Sequence, residues 1–251
     1  MPLLGLTGYP LAHSFSPAYF KQRFEAEELN GWDYRLFPLE DLRGLPELIR
    51  HEPELLALNV TIPHKQDVLQ YCSSISEEAA AIGAANLILI ERESTGFTLR
   101  AHNTDHFGFS ESLRKAKTSI NGRALILGSG GSSKAVAYAL KQMQIPFDVA
   151  GRSLPLNYGN LDLAAYSLIV NCSPVGMQRS DPAGYPTLLP LNYDAAHAGQ
   201  LFYDLVYNPA ETDMMQRFSA RGASVMNGLN MLHLQADKAW EIIKSKHNTP
   251  R

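Results

Sequence analysis

Polar side chains that could act on a small ligand cluster around a predicted strand in the first half of the chain. Residues 55–62, LLALNVTI, are apolar and favour a buried strand that the following proline ends. Asn59, Thr61 and Lys65 lie at or just beyond this strand's carboxyl end. Because a lysine is rarely buried without a partner, and because α/β folds bind ligands at strand ends, we expect these three side chains to face a ligand.

Further hydroxyls, amides and one carboxylate occupy comparable positions. Ser14 and Ser16 follow the first predicted strand, Asn86 lies just inside a later strand, and Asp105 opens a helix. Each has a structural alternative; Ser16, before Pro17, could simply cap a helix. Taken together with Lys65, they suit a small, polyhydroxylated, anionic ligand.

A glycine-rich turn opens the second half. LILGSGGSS, residues 125–133, follows an apolar strand and precedes an alanine-rich helix. Gly128, Gly130 and Gly131 would let backbone N–H groups approach a pyrophosphate at the helix N-terminus. Ser133 stands where the G-x-G-x-x-G fingerprint has its third glycine, so the motif is imperfect. It predicts nucleotide binding, with a plain tight turn as the alternative.

The end of the next strand, DVAGRS, distinguishes the two nicotinamide dinucleotides. An acidic side chain there favours the ribose hydroxyl of NAD, and an arginine favours the ribose phosphate of NADP. Arg152 and Ser153 lie at the appropriate distance, whereas Asp148 comes too early in the strand. The segment therefore favours NADP, the alternative being that Arg152 is a solvated surface arginine.

The elements that would position these residues alternate along the chain. The first half predicts strands at 3–8, 32–39, 55–62, 85–92 and 97–103, and helices at 16–29, 41–50, 65–71 and 76–82. After the strand, glycine turn and helix of 123–143, the second half predicts strands at 146–153, 166–174, 200–209 and 223–227, and helices at 211–221 and 229–246. The Ser-Thr-Gly turn at 94–96 predicts that the strands at 85–92 and 97–103 pair with each other. The alternation of strands and helices predicts a mostly parallel α/β fold.

Two domains are expected. One comprises residues 1–102 and 230–251, because the long last helix could cross back to the first half, and a dinucleotide-binding domain comprises 103–229. Composition agrees with an ordinary globular protein: 251 residues, 45% hydrophobic, with a net charge of −3. We find no basic run for nucleic acid, no apolar run near the ~20 residues of a membrane span, and no signal peptide. Cys72 and Cys172 lack metal-ligand spacing and indicate reduced thiols in a cytosolic protein.

The ordered motifs of the chain resemble one family. HSFSP, NVTIPHK, GAANLI, NTDHFGF, LGSGGSSKA, NCSPVGM, FYDLVYNP and GLNMLHLQA resemble, in that order, the motifs of shikimate dehydrogenases. The resemblance implies an N-terminal α/β substrate domain and a Rossmann-type NADP-binding domain with a cleft between them. It implies reversible NADPH-dependent reduction of 3-dehydroshikimate to shikimate, in aromatic amino acid biosynthesis, by a cytoplasmic monomer or homodimer. It implies no metal, nucleic acid or membrane partner.

The same resemblance assigns roles to residues. Lys65 matches the catalytic lysine and Asp105 its partner aspartate. The substrate-binding positions are Ser14, Ser16, Thr61, Lys65, Asn86, Asp105, Tyr207 and Gln235. The cofactor-binding positions are Gly128, Ser129, Gly130, Gly131, Ser132, Gly151, Arg152, Ser153, Leu205, Gly228 and Glu77.

Two departures from the family pattern and three alternatives stand beside this interpretation. Gly151 replaces the usual asparagine before the arginine, which could blunt cofactor preference. Residues 153–165 contain a proline and a Tyr-Gly-Asn turn signal, which predicts a truncated or absent helix and an open adenine side. The alternatives are a quinate/shikimate dehydrogenase using NAD, a non-catalytic ligand-binding homologue, and a nucleotide-dependent methyltransferase.

Overall fold

Two compact units make up the chain. The computed structural model describes residues 1–11, 14–117, 120–178 and 186–247. Unit 1 consists of Met1–Thr104 with Ala236–Arg251, and unit 2 of Asp105–Gln235. The chain therefore changes unit after residues 104 and 235, whereas the sequence placed the divisions after 102 and 229.

Unit 1 is built on a six-stranded sheet. Its elements are β1 (Leu3–Gly8), α1 (Ser16–Ala26), β2 (Asp33–Pro38), α2 (Leu45–His51), β3 (Leu55–Val60), β4 (Ser74–Ile75), α3 (Glu77–Ile82), β5 (Leu87–Glu93) and β6 (Gly96–His102). The strand order is β2-β1-β3-β5-β6-β4. Strands β1, β2 and β3 are parallel, but β5 is antiparallel to both β3 and β6. Three of the five strand pairs in this sheet are parallel, and both antiparallel pairs involve β5.

Alternating side chains of this sheet form two cores. Leu4 and Leu6 of β1 contact one core, together with Phe20 of α1, and Leu3 contacts the other, together with Ile49 of α2. The period of two along a strand produces this division. Ala236, Ala239, Trp240 and Ile243 of the last helix, α7 (Leu229–His247), belong to the first core. The strand β3 that precedes Thr61 is thus buried on both faces.

Unit 2 is a Rossmann-type unit with an all-parallel sheet. Its elements are α4 (Asp105–Lys115), β7 (Arg123–Leu127), α5 (Gly131–Gln142), β8 (Phe147–Ala150), β9 (Tyr166–Asn171), β10 (Leu201–Asp204), α6 (Asp213–Ser219), β11 (Ser224–Met226) and the first part of α7. The strand order β11-β10-β9-β7-β8 reverses direction between β7 and β9. Ligands of open α/β sheets bind at this reversal, beyond the carboxyl ends of the strands.

Several predicted elements are shorter than the sequence indicated. Helix α1 ends at Ala26, and Glu28 follows in a left-handed conformation with φ of 55°. Residues 65–71 form only a 3₁₀ helix, Asp67–Tyr71. Residues 153–165 hold two 3₁₀ turns, Tyr158–Asn160 and Leu163–Ala165, which confirms that a full helix is absent there. Within the described part of the chain, none of the helices is long and apolar enough to cross a membrane.

Candidate active site

The two serines of HSFSP lie together at the start of α1. Ser16 is the first residue of the helix rather than the residue before it, and its backbone N–H donates to Ser14 Oγ over 3.3 Å. His13 of the motif lies outside the described residues. Two hydroxyls beside the N–H groups of a helix N-terminus form an arrangement that can hold a carboxylate.

Lys65 lies in a loop whose backbone is hydrogen-bonded to neighbouring segments of unit 1. The Thr61 N–H donates to Thr7 O of β1 over 2.9 Å, and the Ala85 N–H donates to Lys65 O over 2.7 Å. The His64 side chain is buried, and its Nε2 lies 2.6 Å from Leu39 O, beyond the end of β2. The backbone on which the half-buried Lys65 side chain stands is therefore fixed by three different segments.

Asn86 joins two motifs that are distant in sequence. Its Nδ2 donates to Thr104 Oγ1 over 2.9 Å, and its Oδ1 accepts from the Thr104 N–H over 2.7 Å. Asn103 Nδ2 likewise donates to Ala84 O over 2.9 Å. Asp105, the next residue, is buried and begins α4. These paired bonds fix the backbone from which the Asp105 carboxyl projects.

The glycine-rich turn of unit 2 has the geometry that its sequence predicts. Gly128 follows β7 with φ of +116°, a conformation that favours glycine, and its N–H donates to Ala150 O over 2.8 Å. Ser133 Oγ donates to Gly128 O over 2.6 Å. The imperfect third position of the fingerprint thus closes the turn with a side-chain hydrogen bond.

Neither the backbone conformation nor a close approach of other atoms requires a glycine at position 130. Its φ of −81° is open to any residue, and a Cβ added to it would meet nothing within 4 Å. Gly131 then begins α5, whose first N–H groups have no partners within the helix. The open space above Gly130 and this helix N-terminus fit a pyrophosphate, as a dinucleotide would require.

The acidic side chain within β8, Asp148, and the basic side chain beyond its end, Arg152, differ in their partners. Arg123 Nη2 and Nε donate to the Asp148 carboxylate over 2.8 and 3.1 Å, and Tyr166 Oη donates to it over 3.1 Å. The Arg123 hydrogen bonds hold the pKa of the Asp148 carboxyl below its usual range. Arg152 and Ser153 are exposed just beyond the strand. Asp148 is therefore engaged elsewhere, while Arg152 is accessible.

The ends of β9 and β10 are tied together by one buried carboxylate. Asp204 Oδ1 accepts from Asn171 Nδ2 over 2.8 Å and from the Val206 N–H over 3.0 Å, and Oδ2 accepts from Thr212 Oγ1 over 2.7 Å. Burial raises the pKa of Asp204 to about 6. The Leu205 N–H donates to Asn171 O over 3.0 Å. The network fixes the backbone around Leu205.

Gly228 approaches the same backbone closely. A Cβ added to it would lie 2.1 Å from Leu205 O, so no larger residue fits without displacing the chain. Its N–H donates to Val206 O over 3.1 Å. The two positions predicted to line the nicotinamide pocket are therefore in contact.

The remaining predicted residues are dispersed. Tyr207 is half-buried in the loop after β10, and Gln235 is half-buried on α7, its Nε2 donating to Leu232 O over 2.9 Å. Glu77 is exposed in the first turn of α3, in unit 1, whereas the other predicted cofactor residues belong to unit 2. No cluster of three or more histidine, cysteine or acidic side chains suited to a metal occurs in the described ranges.

Sequence reasoning missed three polar residues that organise these segments: Tyr34, His64 and Asp204. Each is buried, and each makes its bonds to residues on other elements. The available signal was a polar residue within or next to an apolar strand, as in LFYDLV, where burial demands a partner.

The fold and these residues define a two-unit α/β protein of the dinucleotide-binding class. The model of the shikimate dehydrogenase substrate binding domain matches residues 6–88. A shikimate dehydrogenase (NADP(+)) of Carboxydothermus hydrogenoformans is 33% identical over 95% of this chain and 90% of its own. The chain belongs to the shikimate dehydrogenase family.

Solved structures agree with this membership. Shikimate 5-dehydrogenase from Thermus thermophilus, in complex with NADP(H) and shikimate, is 29% identical with a TM-score of 0.82, covering 98% of this chain and 94% of that one. Quinate dehydrogenase from Corynebacterium glutamicum, in complex with NAD, is 26% identical with a TM-score of 0.82, covering 97% and 94%. Both cover both units of the chain.

Proposed function

We propose that this protein reduces 3-dehydroshikimate to shikimate, reversibly and with NADPH. The observation that carries the proposal is the way unit 1 joins its separate motifs. The backbone of Lys65 is bonded to Ala85, the neighbouring Asn86 is bonded twice to Thr104, and Asp105 follows Thr104 in the chain. These bonds fix the backbone that carries the ammonium group, the amides and the carboxyl, which supports the binding of a polyhydroxylated anionic substrate.

Lys65 is the acid and base of this proposal. Reduction of a ketone leaves negative charge on the carbonyl oxygen, which a positioned ammonium group stabilises and protonates. In the oxidation of shikimate, the neutral amine accepts the hydroxyl proton. Asp105 acts as the partner carboxylate, while Ser14 and Ser16 hold the substrate carboxylate and Thr61, Asn86, Tyr207 and Gln235 contact the rest of the substrate.

Unit 2 holds the cofactor in this proposal, and NADPH supplies the hydride when it is bound. The turn from Gly128 to Ser132 and the first turn of α5 would bind the pyrophosphate, which the open space at Gly130 supports. Leu205 and Gly228 would line the nicotinamide site. Glu77 is included as a further cofactor residue.

NADP is favoured over NAD by the charges beyond β8. Arg152 and Ser153 are exposed where a ribose phosphate would lie, and Asp148 is occupied by Arg123 and Tyr166. An exposed guanidinium attracts a phosphate, whereas a ribose hydroxyl needs an available acceptor. The short turns of 153–165 would leave the adenine side open and weaken cofactor affinity.

A single set of assays tests the proposal. Absorbance of reduced cofactor is followed with shikimate or quinate, each paired with NADP⁺ or NAD⁺, for the wild-type protein and for Lys65→Ala. We expect turnover with shikimate and NADP⁺, and a kcat about 10²–10⁴-fold lower in Lys65→Ala with little change in the KM for shikimate. Lys21→Ala, an exposed lysine on α1, is the control and should match the wild type.

Each other outcome has a distinct meaning. Turnover of quinate with NAD⁺ would retain the fold and Lys65 but would overturn the specificity assigned to Ser14, Ser16 and Arg152. A Lys65→Ala variant that keeps its kcat while losing shikimate binding would overturn the acid–base role. Absence of turnover with all four pairs would favour a non-catalytic ligand-binding protein.

The proposal also places the protein in the cytoplasm, as a monomer or a homodimer. Sedimentation equilibrium would distinguish these two states.

A further inference from the structure

Asp204 is a buried carboxylate that the proposed mechanism does not use. It ends β10, which lies between β9 and β11 in the parallel sheet of unit 2, and its side chain is fully buried. Folds of this class bind ligands beyond the carboxyl ends of these strands. A carboxyl group loses its hydration on burial, so it needs partners that donate hydrogen bonds to it. Those partners identify the segments that Asp204 holds.

The donors to Asp204 come from three segments at this edge of the sheet. Its Oδ1 accepts from Asn171 Nδ2, at the end of β9, over 2.8 Å and from the Val206 N–H, after β10, over 3.0 Å. Its Oδ2 accepts from Thr212 Oγ1 over 2.7 Å, and Thr212 is the N-cap of α6. One carboxylate therefore fixes the end of β9, the loop after β10 and the beginning of α6 relative to one another.

The two partners of Asp204 Oδ1 also hold the residues proposed to line the nicotinamide site. The Leu205 N–H donates to Asn171 O over 3.0 Å, and the Gly228 N–H donates to Val206 O over 3.1 Å. A Cβ at Gly228 would lie 2.1 Å from Leu205 O, so these two backbones are packed without space for adjustment. A displacement of either partner of Asp204 would therefore move the lining of this site.

We propose that Asp204 is the positioning residue of the nicotinamide site, and that its carboxylate orients the bound ring by fixing the backbones of Leu205 and Gly228. This inference rests on the proposed function, since it takes a nicotinamide dinucleotide as the ligand. Asp204 acts through its partners and does not touch the cofactor. The turn at 128–132 and Arg152 follow other strands, β7 and β8, so the adenosine end of the cofactor should bind independently of Asp204.

The test compares NADP⁺ with 2′,5′-ADP, which carries the adenosine and the 2′-phosphate but no nicotinamide. Titration calorimetry measures the dissociation constant of each. We expect Asp204→Ala to raise the constant for NADP⁺ about tenfold and to leave that for 2′,5′-ADP within about twofold of wild type. At saturating NADP⁺ and shikimate, kcat should also fall about tenfold or more, because a ring that is not held in one orientation transfers hydride less often.

Asp204→Asn tests whether the hydrogen bonds carry this effect. The amide Oδ1 can still accept from Asn171 and Val206, and its Nδ2 can donate to Thr212 Oγ1. The dissociation constant for NADP⁺ should therefore stay within about threefold of wild type. Equal losses in Asp204→Asn and Asp204→Ala would overturn positioning through these bonds.

Gln200→Ala is the matched control, because it removes three hydrogen bonds from the other end of the same strand. Gln200 directly precedes β10 and is buried; its Nε2 donates to Leu163 O over 2.6 Å and to Tyr166 O over 2.8 Å, and its Oε1 accepts from the His197 N–H over 2.9 Å. This variant should lower the thermal midpoint, as Asp204→Ala does, but bind NADP⁺ like the wild type. Weakening of NADP⁺ binding equal to that in Asp204→Ala would assign the effect to the stability of unit 2 and overturn the inference.

Thr212→Val keeps the inference testable if Asp204→Ala does not fold. It removes one donor to the carboxylate and should raise the dissociation constant for NADP⁺ several-fold without changing that for 2′,5′-ADP. An unchanged constant for NADP⁺, or an equal rise for both ligands, would overturn the inference. A wild-type protein that binds neither ligand would overturn the proposed function together with this inference, whereas normal wild-type binding with unaffected variants would overturn this inference alone.

Discussion

Ser16 offers the most direct test of carboxylate binding at the scale of single residues. Its hydroxyl lies at the first turn of α1, beside Ser14. A hydrogen bond to a charged group contributes about 1.5–3 kcal/mol, so Ser16→Ala should raise the KM for shikimate about 10- to 100-fold while leaving kcat nearly unchanged. Ser110→Ala, which removes a hydroxyl bonded to His106 O in α4, is the control for steady-state kinetics. An unchanged KM would exclude Ser16 from the substrate site.

The proposed role of Arg152 in cofactor choice depends on its charge. Its guanidinium is exposed beyond β8, where a ribose 2′-phosphate would lie. Loss of a charge-assisted contact to phosphate should raise the KM for NADP⁺ about 10- to 100-fold in Arg152→Ala, with little effect on the KM for NAD⁺.

The matched control for Arg152 is Arg221→Ala, another exposed arginine of unit 2, which pairs with Asp194. Kinetics with both cofactors for both variants check the prediction. An equal rise in the KM for NADP⁺ and for NAD⁺ would mean that Arg152 stabilises the turn and does not bind the phosphate.

Residues with a local signature were predictable from sequence, and residues defined by tertiary contacts were not. Gly128 and Gly130 stand in a recognisable turn between a strand and a helix. Tyr34 and Asn59 are 25 residues apart and meet only because β1 pairs with both β2 and β3. Similarly, Asp204 takes its donors from Asn171, Val206 and Thr212, and nothing in the LFYDLV segment specifies the first or the last of these.

At the scale of elements, alanine substitutions at three glycines distinguish a glycine that the backbone packing requires from one that leaves space for a ligand. Gly228→Ala should destabilise the protein by more than about 2 kcal/mol, because its Cβ would lie 2.1 Å from Leu205 O. Gly130→Ala should leave the thermal midpoint unchanged and raise the KM for NADP⁺, because its Cβ would enter the open space above the turn. Gly96→Ala, at the start of β6, is the control that should change neither quantity. A normal KM for NADP⁺ in Gly130→Ala would show that the pyrophosphate does not bind in this space.

Asp204 makes the stability of the β9–β10 end of unit 2 depend on pH. Burial raises its pKa to about 6 from 3.8 in the unfolded chain. Between these values the folded carboxyl is protonated while the unfolded carboxyl is ionised, so this group contributes stability at low pH that is lost as the pH rises through about 6. The shift corresponds to roughly 3 kcal/mol.

The comparison with Asp204→Asn isolates this contribution. The free energy of unfolding of the wild type minus that of the variant should fall between pH 4 and pH 7. Carboxylates with lowered pKa, such as Asp148 beside Arg123, act in the opposite direction, but they cancel in the difference. Urea titrations at several pH values across this range measure it. A difference that does not vary with pH would show that Asp204 titrates like an exposed carboxyl.

Element type was predictable where the periodicity was long, and the turn at 94–96 predicted the pairing of β5 with β6, but the pairing of β5 with β3 was not predictable. The strand, turn and helix of 123–142 and the last helix both follow clear patterns. The antiparallel direction of β5 depends on its pairing with β3, a contact the alternation of strands and helices does not encode. The 65–71 segment forms only the short 3₁₀ helix Asp67–Tyr71, and the Lys65 loop before it is held by the hydrogen bond from Ala85.

At the scale of the whole molecule, the chain leaves unit 1 after Thr104 and returns to it at Ala236, so the fold of unit 1 depends on the last helix. Trp240 of α7 is buried against Trp32 and Phe24, with ring centroids 5.3 and 5.6 Å away, and its Nε1 donates to Glu27 over 2.8 Å. Trp240→Ala should destabilise unit 1 by about 3–5 kcal/mol.

The fluorescence of the remaining tryptophan measures this effect, because both tryptophans of the chain lie in unit 1. The denaturation midpoint reported by Trp32 should fall in Trp240→Ala, and shikimate should raise it again by mass action. Leu229→Ala, on the same helix but 40% exposed and in unit 2, should leave the midpoint unchanged. If Trp240→Ala unfolds at the wild-type midpoint, then Met1–Thr104 folds without the packing of the last helix. Ala236–Arg251 would then contribute nothing to the stability of unit 1.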